Sequence, residues 1–187
     1  MKEFFKRYSY ESVHLLLNQV AIGLFGLVLA LAAGMAKNET LRTVTSAFAV
    51  VFYLFLQFAA AWRIGWEDRS SIELGKKQLD VWVPLKVWLL ASSLNLLLAL
   101  CISLSIWFNG AGILGGVGGV ASVIKNIIEG MYTGLLALKV GGVPLNTYWF
   151  IHFLTSVPTL IVVYISYMSG VKGIAFGGLF SPYSGKK

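Results

Sequence analysis

The sequence predicts an all-α membrane protein: a bundle of four transmembrane helices with one further amphipathic helix, interfacial or re-entrant, on the outer side. Three observations carry this expectation. Four apolar stretches, 13–35, 44–64, 83–107 and 148–169, each reach the ~20 residues that a helix rising ~1.5 Å per residue needs to cross a ~30 Å hydrocarbon layer. None of them contains Asp or Glu. Hydrophobic residues make up 57% of the chain and charged ones 12%, a charged share well below that of a soluble domain. Lys and Arg, finally, are spread unevenly between the connecting segments. In lipid an unpaired backbone group costs several kcal/mol, so each stretch is read as a helix that satisfies its own backbone.

With most of its 187 residues in spans, the chain is read as a single integral membrane domain, 1–187. The basic start, Met1 to Arg7, precedes an apolar run of 23 residues, longer than a signal-peptide core, and Gly34-Met35-Ala36-Lys37 is a poor cleavage site. That run is expected to be a retained first span. With four spans both termini share one side. It holds eleven basic residues: Lys2, Lys6, Arg7, Arg63, Arg69, Lys76, Lys77, Lys86, Lys172, Lys186 and Lys187. Only Lys37, Arg42, Lys125 and Lys139 lie opposite. The positive-inside rule then places both termini in the cytoplasm of a multi-pass plasma-membrane protein. The same distribution accounts for the net charge of +7 without a nucleic-acid partner.

In the first span Gly26, Ala30 and Gly34 recur at four-residue spacing, with Gly23 and Ala33 beside them. Small residues let helix backbones approach closely, so this is a packing face. Internal packing is preferred; another membrane protein or a second copy of the chain is the alternative partner, besides the lipid bilayer itself. The second span is aromatic. Trp62 and Trp66 at its inner end, with Trp82 and Trp88 across the following loop, form one expected interface belt, and Trp107 and Trp149 anchor the other. In that loop Ser70-Ser71-Ile72-Glu73 has capping-box spacing and predicts the start of a short surface helix. The pattern Trp62-x2-Gly65-x2-Asp68, followed by Gly75 and Asp80, resembles a signature of small multi-span bacterial membrane proteins of uncharacterised function. The resemblance covers Trp62 to about Leu98, implies the multi-span fold and carries no activity with it.

After the third span, six glycines between Gly110 and Gly119 predict a pliable stretch. An amphipathic helix is then expected over about 120–138. Val120, Val123, Ile124, Ile127, Ile128, Met131, Leu135 and Leu138 lie at helical spacing, with Ser122, Lys125, Asn126, Glu129 and Thr133 on another face. As a fifth span it would bury Lys125 and Glu129, at ~2.5–3.5 kcal/mol each, so the segment is predicted to lie on the outer surface or dip in shallowly, with both charges facing water or headgroups. In the fourth span Pro158 removes a helix hydrogen bond and should kink it, and Thr155 and Ser156 can satisfy freed carbonyls.

Several motifs reduce to ordinary readings. Gly110 to Gly115 spells GxGxxG, but a membrane span rather than a strand precedes it, which excludes the dinucleotide geometry. Asn38-Glu39-Thr40 is a formal glycosylation sequon too close to the first span for efficient use. Cys101 is the single cysteine, so no internal disulfide or thiolate metal site forms, and it reads as a packing residue. His14 and His152 are separated by roughly 20 Å of depth counted by helix rise, too far to share a metal. No catalytic residue, metal or cofactor is expected.

What remains is a band of neutral polar side chains, roughly 5–15 Å in from the cytoplasmic ends of the spans: Asn18, Gln19, Gln57, Ser92, Ser93, Asn95, Tyr164 and Ser166. Interhelical hydrogen bonding, at ~0.6 kcal/mol per contact, is the preferred reading. The floor of a cavity open to the cytoplasm or inner leaflet is the other. The function expected from the sequence is therefore that of a non-enzymatic accessory or scaffold subunit of a membrane assembly. The alternative is a small transport or permeation component using that cytoplasm-side polar cavity.

Overall fold

The structure, a computed structural model, describes residues 2–174; Lys186 and Lys187 of the charge asymmetry lie outside them. In chain order the helices are α1 (Lys2–Met35), α2 (Glu39–Glu73), α3 (Val83–Trp107), α4 (Ile113–Ile128), α5 (Thr133–Leu136), α6 (Ile151–Leu154) and α7 (Val157–Val171). Single 3-10 turns lie at Gly130–Tyr132 and Leu145–Thr147, and a hairpin pairs β1 (Lys139–Val140) with β2 (Val143–Pro144). Four helical segments are long and apolar enough to cross a membrane: α1, α2, α3, and α6 with α7 taken together over Ile151–Val171. The start of α1, the end of α2, the start of α3 and the end of α7 gather at one end of the bundle, called the near end below. The connections α1–α2 and α3–α4 lie at the far end.

Two of these helices outrun their apolar windows. α1 starts at Lys2 rather than at 13, and α2 runs to Glu73 rather than 64. No Pro or interior break interrupts either extension, and ion pairs tie the two together: Arg63 reaches Glu11 at 3.0 Å and Arg7 reaches Asp68 at 2.6 Å. Ser70-Ser71-Ile72-Glu73 therefore starts no new helix, contrary to its capping-box spacing. It is the last turn of α2, where Glu73 accepts from Arg69 four residues earlier at 2.6 Å, and Gly75 at φ +67° lets the chain leave the helix. At the other end of α2, Asn38 of the formal sequon is a helix cap, its Oδ1 accepting the Leu41 N–H at 2.9 Å. Just ahead of α3, Asp80 accepts the Trp82 N–H at 2.9 Å, and the Lys86 ammonium at 2.8 Å holds its carboxyl below the usual carboxylate range.

The glycine-rich stretch is less pliable than its composition predicts. Asn109, Gly110 and Gly112 take positive φ and turn the chain, and the remaining glycines enter α4. Gly118 is the reason α4 lies so close to α3: a β-carbon there would sit 2.2 Å from Ser105 Cβ. After Ile128 the axis bends by 89° into Gly130–Leu136. The bend is wedged against α1, where a β-carbon on Gly23 would meet the Ile128 carbonyl oxygen at 2.1 Å and one on Gly26 would meet Met131 Cα at 2.4 Å.

The small-residue face of α1 is thus occupied from within the chain, by Gly23, Gly26, Ala30 and Ala33; Ala30 and Ala33 are buried. Gly34 is not part of it, having open space where its β-carbon would be. Gly26→Leu is accordingly expected to lower stability by about 1–3 kcal/mol through overpacking, with Gly34→Leu close to wild type, in thermal unfolding of the detergent-solubilised protein. Equal effects would show that the bend does not dock there. A second close contact joins α2 and α7, where Gly65 faces the Tyr167 carbonyl and Gly170 faces that of Trp62.

Pro158 stands at the start of α7, and the helix breaks just before it, at Thr155 and Ser156. Thr155 Oγ1 donates to the His152 carbonyl at 3.1 Å, satisfying one acceptor freed by the break. Of the expected belt residues, Trp82, Trp107 and Trp149 are exposed, and Trp107 stacks on Trp149 at 6.2 Å. Trp66 and Trp88 are partly buried. Trp62 departs from the expectation: it is buried, stacked on Trp66, and its Nε1 donates to the Ile174 carbonyl at 3.0 Å.

Candidate functional site

The expected orientation of the amphipathic segment is reversed. Val120, Val123, Ile124 and Ile127 are exposed, whereas Lys125 and Glu129 are only 3% and 4% exposed; Ile128 and Met131, at the bend, are buried as expected of the apolar face. The cause lies one and two turns earlier on the same face. Gly118, Ala121 and Lys125 share a stripe, so the small residues that let α4 approach α3 carry the charged ones inward with them. Glu129 follows at the bend.

Lys125 Nζ lies 2.7 Å from Glu129 Oε2. Around this pair the other polar contacts are long: Gln19 Nε2 reaches Glu129 Oε1 at 3.5 Å, and Lys125 Nζ reaches Thr155 Oγ1 at 3.5 Å. The pair is thus assembled from α1, α4 and the break between α6 and α7. Isolated buried charges are untenable in a low-dielectric interior, and the two neutralise one another. An ammonium has three donors and a carboxylate about four acceptor sites, so both groups keep unused hydrogen-bonding capacity.

Lys125 and Glu129 form the inner part of a cavity of about 430 Å³. Ser122 and Thr133 line it from the α4–α5 limb, Ser105 from α3, His152 from α6, and Asn146 and Thr147 from the connection between α5 and α6. Asn126, Asn146 and Thr147 are exposed, so the cavity opens to the surface there. Thr133 Oγ1 and His152 Nδ1 are buried behind the wall without a hydrogen-bond partner, and His152 Nε2 meets the Asn146 carbonyl at 3.1 Å. A small neutral-to-polar solute fits such a volume, within the range of ordinary ligand pockets. Among the described residues no three His, Cys, Asp or Glu side chains gather as a metal site would require.

The residues of the expected polar band do not line this cavity. Gln19, Gln57, Ser92, Asn95 and Ser166 are buried, Asn18 is half-buried, and Ser93 and Tyr164 are exposed. Gln57 Nε2 donates to the Leu15 carbonyl of α1 at 2.9 Å, and Ser166 Oγ donates to the Phe58 carbonyl of α2. Ser93 Oγ bonds only within its own helix, to Leu90. Tyr164 borders an apolar groove between α3 and α7 with Trp82, Leu85 and Ile161. Of the eight residues only Gln19 touches the charged pair. Neither Gln57 nor Asn95 lines the cavity described above, although the Asn95 Oδ1 is buried without a partner.

A second buried charge sits at the near end. Asp68, 1% exposed, accepts from Arg7 at 2.6 Å, the Tyr8 hydroxyl at 2.6 Å, Lys77 at 2.6 Å and the Tyr167 hydroxyl at 2.7 Å. Lys77 also contacts Tyr8 Oη. This carboxylate joins α1, α2, the α2–α3 connection and α7, with its acceptor capacity filled. It is a clamp rather than a ligand site.

No family model matches the chain, and neither a curated protein nor a solved structure matches it.

Proposed function

We propose that the chain is a four-span integral membrane protein and works as a small transport or permeation component, taking a polar solute into the cavity above Lys125 and Glu129. In this reading α4 is a re-entrant helix that enters from the far end and turns back at Glu129. The eleven-to-four distribution of Lys and Arg favours a cytoplasmic near end in a plasma membrane, so the cavity faces outward. That placement replaces the cytoplasm-side cavity expected from the polar band. The observation that carries the reading is the buried Lys125–Glu129 pair at the floor of a polar cavity. Ionisable groups at membrane depth are costly and concentrate where solutes or ions pass, and broken helices commonly frame such sites. The scaffold reading loses its main support, because the small-residue face of α1 is filled by the chain's own bend.

Gly119 lines the cavity and has open space at its β-carbon, so Gly119→Trp is a plug that clashes with nothing at its root. In proteoliposomes, osmotic-shift uptake of glycerol, glycine, γ-aminobutyrate, acetate and methylammonium is the test. At least one solute should enter faster than into empty vesicles, with Gly119→Trp abolishing the difference while unfolding at the wild-type temperature. Rates equal to those of empty vesicles for every solute sink the reading.

One observation favours a second reading, that of an accessory subunit. An apolar groove of about 550 Å³ runs between α3 and α4, bordered by Leu98, Cys101, Val117, Val120 and Ile124, and is shaped to take a neighbouring helix or a lipid chain.

A further inference from the structure

Resting on the transport reading, we infer that the solute is a small zwitterion, one carrying an ammonium and a carboxylate, and that it binds across Lys125 and Glu129. The inference begins with charge balance. The two side chains are both at least 96% buried and sum to zero. A monovalent anion entering beside them leaves an uncompensated negative charge in a low-dielectric site unless Glu129 takes up a proton. A monovalent cation leaves a positive one unless Lys125 loses its proton. Either addition carries the several-kcal/mol penalty of an unpaired buried ion. A zwitterion adds no net charge, so it enters without any proton exchange.

Hydrogen-bonding capacity points the same way. Lys125 makes one short bond and one at 3.5 Å, and Glu129 likewise, so each has room for a charge-assisted partner of opposite sign. The solute carboxylate meets Lys125, and its ammonium meets Glu129. The hydroxyl side chains of Ser105, Ser122 and Thr147 on the cavity wall remain for the polar remainder of the solute. A neutral polyol uses the same hydroxyl groups but leaves the ion pair's spare capacity unfilled. The other titratable groups within electrostatic reach are His152 on the Lys125 side and Tyr132 and Tyr53 on the Glu129 side; α1 and α3 present neutral Gln19 and Ser105.

Equilibrium binding to the purified protein, with glycine and γ-aminobutyrate set against acetate, methylammonium and glycerol, reads this directly. Zwitterions are expected to bind at least about tenfold tighter than either monovalent ion, with no net proton taken up or released in weakly buffered solution. Lys125→Met and Glu129→Gln should each weaken zwitterion binding by about tenfold or more. The double exchange Lys125→Glu with Glu129→Lys keeps both signs and should retain binding, provided it unfolds at the wild-type temperature. If that exchange does not fold, the solute ranking and proton count still decide. Acetate or methylammonium binding as tightly as glycine, or one proton exchanged per solute, overturns the inference. Glycerol entering through a pathway that Gly119→Trp blocks, with zwitterions excluded, also overturns it and leaves the transport reading standing. Failure of every solute to bind or enter removes both.

Discussion

Removal of the Asp68 carboxylate is expected to be among the most damaging single changes in the molecule. Asp68→Ala leaves Arg7 and Lys77 facing one another without their shared anion and deprives the Tyr8 and Tyr167 hydroxyls of an acceptor. Each buried tyrosine hydroxyl left without its acceptor costs about 1–3 kcal/mol, and the two cations, partly exposed, add less. Arg7→Ala, in contrast, removes a side chain that is 45% exposed and leaves Lys77 in place, so its cost is about 1 kcal/mol or less. Denaturation of the two variants in the same detergent separates them. Similar losses would mean that the clamp is a surface ion pair and not the joint of the near end.

The second large effect concerns the pair at the bend. Glu129→Leu strands Lys125 at 3% exposure with only the distant Thr155 hydroxyl, and a loss of about 3–5 kcal/mol is expected. Lys125→Leu combined with Glu129→Leu removes both charges and is expected to recover most of that loss, while abolishing solute uptake. The sign of the coupling is the informative quantity. A double variant no more stable than Glu129→Leu would show that the two groups do not neutralise each other in the folded protein.

The helical skeleton was legible because its signals are local. The stretch 83–107 matches α3 at both ends: Pro84 sits in its first turn, and Asn109 and Gly110 turn the chain just beyond Trp107. The near-end extensions of α1 and α2 were less so, since hydropathy stops where lipid contact stops, whereas the helices continue wherever nothing breaks them. The inward placement of Lys125 and Glu129 differs from the sequence expectation for a physical reason. Lys125 and Glu129 were assigned to water because charge at a helix surface ordinarily means solvent. The same stripe, however, carries Gly118 and Ala121, and small residues spaced with charged ones mark an inward face when the large apolar side chains have lipid to meet. That signal is present in the sequence, in the spacing of Gly118, Ala121 and Lys125. The Asp68 clamp is different. Its partners come from positions 7, 8, 77 and 167, which no local spacing connects, so only the folded chain brings them together.

The docking of the bend onto Gly23 and Gly26 also sets an order of biogenesis. As an isolated segment α4 carries Lys125, with Glu129 one turn on at its end, charges that oppose partition into hydrocarbon by ~2.5–3.5 kcal/mol each, and it is too short to span. It becomes a favourable guest only once α1 offers its glycine notch and α3 its Ser105 shelf, both of which leave the ribosome earlier. Thr155, the last contact to Lys125, emerges later still. A chain that ends before residue 155 lacks that contact, so the surroundings of Lys125 are complete only after the last helical segment has been made.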